Sequence, residues 1–103
     1  MPAMQTKSGI EAQIKLLAAT PDECIGHDEG THSDPATVEV YQRLNGDRYA
    51  RRCFNSRTVT ILTPEQAEAQ TAGRIRYSQD AVDRISEARR NLAELRKLLH
   101  KAD

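Results

Sequence analysis

The strongest pattern in the chain lies near its C-terminal end. Ala81, Ile85, Ala88, Leu92, Leu95, Leu99 and Ala102 recur at alternating steps of four and three, the repeat of a helix that buries one stripe against a neighbour. Val82 and Leu98 widen that stripe beyond what a two-stranded seam needs. Two outcomes follow from it. The helix packs across its own sheet and first helix, or it joins a partner helix through Ile85, Ala88, Leu92, Leu95 and Leu99, a second copy in a homodimer being one such partner. Its other face, with Arg84, Glu87, Arg90, Glu94, Lys97 and Lys101, reads as a solvated surface laced by weak i,i+3 pairs. Near the start of the chain Ile10, Ile14 and Leu17 fall at helical spacing and predict a short helix. Ser8 and Glu11 fit a capping box there, and Thr20-Pro21 ends it, because the residue before proline is pushed out of the helical region.

Between the helices the period changes to two. Residues 37–44 alternate apolar Val38, Val40 and Leu44 with Glu39, Tyr41 and Arg43, the pattern of a half-buried strand. Asn45-Gly46 predicts a two-residue hairpin turn. That turn pairs Val40 with Arg51, Glu39 with Arg52 and Val38 with Cys53. The core face then holds Val38, Val40, Leu44, Tyr49 and Cys53 with Arg51 at its edge, and the outer face holds Glu39, Tyr41, Arg43, Arg48 and Arg52. Asn55-Ser56 offers a second turn and residues 58–62 a third strand. Thr63-Pro64-Glu65-Gln66 opens another helix. Gly73 breaks or kinks it, with Ser78 or Asp80 capping the last one; the alternative is one long helix that tolerates Gly73 at ~1 kcal/mol. The expected architecture is α+β: an N-terminal helix, a three-stranded antiparallel meander and two C-terminal helices, as one domain over 1–103. Residues 21–35, with Ile25 as their one aliphatic side chain, are predicted to be a long acidic loop within it.

Composition makes the core thin. Leu, Ile, Val and Phe together number 19 of 103 residues, and domains so poorly supplied often lean on a dimer, a metal or a partner surface. No apolar run approaches the ~18 residues of a membrane span, and no signal-peptide pattern is present. Two cysteines without an export signal predict a reducing, cytoplasmic compartment. Net charge is zero, but its distribution is uneven. Residues 1–39 carry seven carboxylates against two lysines, and residues 40–62 carry five arginines against Asp47. Loop and sheet either neutralise one another or present charge to a partner.

Candidate chemistry is sparse. Cys24, His27, His32 and Cys53 supply the donor types of a zinc site, but they lack the close Cys-x2-Cys spacing of a zinc knuckle, and Cys53 is placed on the core face. No metal or cofactor is expected. Cys24 and His27 suggest a nucleophile and base, yet both fall in one acidic segment whose carboxylates raise a thiol's pKa. Phosphate-binding loops and the hydrolase and metalloprotease signatures are missing, so no catalytic residues and no enzyme activity are expected. The reading that remains is a protein-binding regulator or inhibitor. Asp22, Glu23, Asp28, Glu29 and Asp34 would imitate a nucleic-acid backbone toward a basic or nucleic-acid-binding protein. Small inhibitors carried by phages and other mobile elements against host nucleic-acid-handling complexes share this profile. The alternative is a nucleic-acid-binding module that uses Tyr41, Arg43, Arg48, Arg52 and Arg57, against which stands an isoelectric point near 6.8.

Overall fold

The computed structural model describes residues 6–55 and 57–101. Ala102 of the helical repeat and Ser56 of the predicted second turn lie outside them. The chain is α+β: α1 (Lys7–Ala18), β1 (Glu23–Asp28), β2 (Thr37–Gln42), β3 (Arg48–Phe54), β4 (Thr58–Leu62), α2 (Pro64–Thr71), β5 (Arg76–Tyr77) and α3 (Gln79–Lys101). The strands form one antiparallel sheet in the order β4-β3-β2-β1-β5. The meander of β2, β3 and β4 is present, extended by two strands that the sequence pattern did not reveal. Among the described residues no helix is long and apolar enough to cross a membrane.

The largest departure from expectation is β1. Residues 23–28 of the predicted loop form a strand with neighbours on both sides, β2 and β5. Its pairing with β2 shifts between Cys24 and Gly26, a bulge that leaves Ile25 between them and wholly buried, at 0% exposure. Two residues conceal the strand in the sequence. Gly26 contributes no side chain, and its place is taken by Ile75 and Tyr77, which pass directly over it. Asp28 is buried, yet Arg74 reaches it with a guanidinium nitrogen 3.3 Å from the carboxylate, so the cost of burying its charge is offset from a distant part of the chain.

The second departure is the hairpin. Its loop has three residues, Leu44-Asn45-Gly46. The Gly46 amide donates to the Arg43 carbonyl at 2.9 Å, and the Arg43 amide donates to the Asp47 carbonyl at 2.8 Å. Gly46 alone takes a positive φ, 97°, while Asn45 stays out of the left-handed region and its side chain accepts from the Asp47 amide at 2.9 Å. One additional loop residue shifts the register by one, which sends every β3 side chain to the other face. Val40 therefore faces Ala50, Glu39 faces Arg51, Val38 faces Arg52 and Thr37 faces Cys53. The gain is physical: Ala50 takes the buried place opposite Val40, and the long Arg51 side chain leaves the core.

The helices follow their local signals more closely. α1 starts earlier than predicted: Thr6 rather than Ser8 is its cap, accepting from the Gly9 amide at 3.0 Å. Thr63 and Gln66 form the reciprocal capping box of α2 behind Pro64, and the helix ends at Thr71, before Ala72 and Gly73 at positive φ. Ser78 caps α3 by accepting from the Ala81 amide at 3.2 Å. Ala67 of α2, Ala81 of α3 and Ile75 join Ile25, Val38, Val40, Ala50 and Leu62 in one core. Farther along α3, Ile85 and Leu92 are buried and Leu95 and Leu99 half-buried, and α1 lies along the helix. Much of the apolar stripe is thus covered within the chain.

Tyr77 ties β5 to α2, donating to Glu68 Oε1 at 2.6 Å. Desolvation, with that carboxylate behind it, pushes the phenol up to about 12. Folding thus favours the neutral phenol. Its stabilisation is complete below the ordinary tyrosine value of ~10 and is lost as pH rises through the folded value. Tyr77→Phe is expected to flatten the alkaline fall of a melting-temperature profile between those two values. A variant with the same alkaline fall as the parent would contradict the assignment.

Candidate interaction surface

The core lies on one side of the sheet, with Ala67 of α2 and Ala81 of α3 packed into it. Among the described residues no helix covers the other side. Register defines what this uncovered face carries: Cys24 and His27 from β1, Thr37, Glu39 and Tyr41 from β2, Tyr49, Arg51 and Cys53 from β3, Val59 and Ile61 from β4, and Arg76 from β5. All of them are at least partly exposed.

At its centre Tyr41 and Tyr49 face each other across β2 and β3 and stack, with ring centroids 5.5 Å apart and planes 14° from parallel. Arg43 lies over the Tyr49 ring, its guanidinium carbon 4.8 Å from the centroid, a cation–π arrangement. The Tyr49 hydroxyl donates to Asp22 Oδ2 at 2.6 Å. That bond, more than desolvation, raises its pKa. The Tyr41 hydroxyl is raised chiefly by desolvation and then by Glu39, against the opposing pull of Arg51. Both phenols are neutral hydrogen-bonding groups at physiological pH. Two rings with few rotatable bonds, held by cross-strand stacking and a guanidinium, form a rigid aromatic platform. Next to it β4 exposes Ile61 at 62% and Val59 at 45%.

The acidic residues behave differently from expectation. Glu23 takes Arg84 at 2.8 Å, Asp28 takes Arg74 at 3.3 Å, and Asp34 takes Arg52 at 2.9 Å, while Asp22 holds Tyr49. Of the five, Glu29 alone has no such partner among the described residues. Three of the five carboxylates, Glu23, Asp28 and Asp34, are thus paired with arginines within the fold. The predicted basic face is divided as well. Tyr41 and Arg43 stand on the uncovered side. Arg48, which donates to the buried Gln42 at 3.0 Å, and Arg52, paired with Asp34, stand on the helix side, and Arg57 lies in the turn before β4. Register is again the cause, since the one-residue shift exchanges Arg48 and Arg52 for Tyr49 and Arg51. Those two residues were missed; the signal for them was the small Ala50, which suits the core better than Arg51 does.

The sulfur and imidazole groups do not converge. Cys24, His27 and Cys53 share the uncovered face, Cys24 and His27 on β1 and Cys53 two strands away on β3, and His32 lies in the segment between β1 and β2. Both cysteines are thiols. Among the described residues no three His, Cys, Asp or Glu side chains gather as a metal site would require. Burial raises the Cys24 thiol, a backbone hydrogen bond at Gly26 opposes it, and Glu39 and Glu23 raise it further. This is the reverse of an activated nucleophile. The chain matches no family model, no curated protein and no solved structure.

Proposed function

We propose that this protein is a non-enzymatic, protein-binding regulator whose contact surface is the uncovered sheet face. The observation that carries the reading is the stacked Tyr41–Tyr49 pair with Arg43 over it, beside exposed Val59 and Ile61. Tyr and Arg are the residues that most often anchor protein interfaces, and apolar neighbours that exclude water make such anchors effective. The internally paired acidic residues argue against mimicry of a nucleic-acid backbone.

The test is capture of a binding protein from the native host by the parent chain and by three variants. Tyr49→Ala with Arg51→Glu is expected to weaken capture at least tenfold. Glu29→Lys and, on α3, Arg90→Glu are expected to retain it, with circular dichroism checking that each variant folds. Loss with Glu29→Lys alone would return the contact to the acidic segment. A low-salt mobility shift of single-stranded nucleic acid, abolished by the Tyr49/Arg51 variant, would overturn the reading in favour of nucleic-acid binding.

A further inference from the structure

The sheet has two edges of very different character. At one end β5 has two residues and leads straight into α3, so it offers almost no backbone to a further strand. At the other end β4 runs five residues, Thr58–Leu62, with four of them exposed and, among the described residues, no strand on its outer side. Proteins usually protect such an edge with lysine, proline, a bulge or an inward charge. Thr58-Val59-Thr60-Ile61-Leu62 has no charged residue and no proline, and its register with β3 is unbroken. Every one of its residues but Leu62 is β-branched, the side-chain type that favours extended structure.

We propose that β4 is a pairing edge for a second copy of this chain, with the two β4 strands antiparallel about a two-fold axis at Thr60. The strand is self-complementary in that register. Thr60 meets Thr60 of the second copy, and Thr58 meets Leu62 on the helix side. Val59 meets Ile61, and Ile61 meets Val59, on the uncovered face, which gives two apolar cross-strand pairs. Charge favours the same arrangement. The paired segment is uncharged, so the copies do not repel along it. At each end Arg57 falls opposite Thr63 of the second copy, close to the first turn of α2 where Glu65 stands. The product is a continuous ten-stranded sheet that doubles the uncovered face and sets the Val59 and Ile61 side chains of the two copies beside one another on it. Five paired residues make a small interface, and small interfaces belong to weak, reversible association. The dimer is therefore expected in the micromolar range or weaker.

Sedimentation of the pure protein from low micromolar to near-millimolar concentration tests this without any other partner. The parent is expected to pass from one chain's mass to twice that mass. The double substitution Val59→Lys with Ile61→Lys sets ammonium groups opposite each other in both apolar pairs and is expected to hold the mass at one chain throughout. Circular dichroism checks its fold, and if that fold is lost, amide hydrogen exchange on the parent decides: β4 amides should exchange more slowly as concentration rises. A parent that stays at one chain's mass would overturn the proposal. So would a dimer that survives in the folded double variant, or one whose β4 amides exchange at an unchanged rate, since association would then run through another surface such as α3.

Discussion

Ile25→Ala is expected to lower the unfolding free energy by about 2–5 kcal/mol, the range for emptying a large aliphatic site in a packed core. Ile25 is completely buried, packed in one cluster with Val38, Val40, Ala50, Leu62, Ala67, Ile75 and Ala81. β1 stands between β2 and β5, so the loss falls on the centre of the domain rather than on its rim. If residues 21–35 were an exposed loop, the same substitution would stay within about 0.5 kcal/mol. Urea unfolding of the parent and the variant distinguishes these outcomes. A surface-like loss would contradict the five-stranded sheet.

Gly30→Ala is expected to be comparably damaging for a different reason. Gly30 has φ +87°, and a Cβ placed on it would come within 2.6 Å of the Ala36 carbonyl oxygen and 2.8 Å of that of Asp34. Both are backbone atoms of the return to β2, which is fixed by the Thr31 amide donating to the Asp34 carbonyl at 2.8 Å and the Asp34 amide donating to Thr31 Oγ1 at 3.0 Å. Backbone strain of this kind costs about 1–3 kcal/mol, and relieving the overlap requires moving the strand connection as well. The same urea titration reads the loss. A variant as stable as the parent would mean that this turn is not built as described.

Helix boundaries were largely legible because their signals are local. Thr63-Pro64-Glu65-Gln66 and Ser78 act within one turn of where they stand, and the stop at Thr20-Pro21 needs no distant partner. β1 was illegible for the opposite reason. Its strand character depends on Ile75 and Tyr77 filling the space over Gly26 and on Arg74 reaching Asp28, all of them more than 40 residues away in sequence. The hairpin lies between these cases. Asn45-Gly46 announced a turn but not its length, and one loop residue decided which β3 side chains face solvent. The candidate site inherited that ambiguity. The sequence pattern places Tyr41 and Arg43, before the turn, on the outer face where they stand, and places Tyr49 and Arg51, after it, on the core face.

The uncovered face as the contact surface is the claim on which the functional account rests, and side-chain nuclear magnetic resonance of the labelled protein, titrated with the captured partner, tests it most directly. The account predicts that the methyl signals of Val59 and Ile61 and the ring signals of Tyr41 and Tyr49 shift together. It would be contradicted if those signals stayed in place while the methyls of Leu16 and Leu98, exposed on α1 and α3, moved instead.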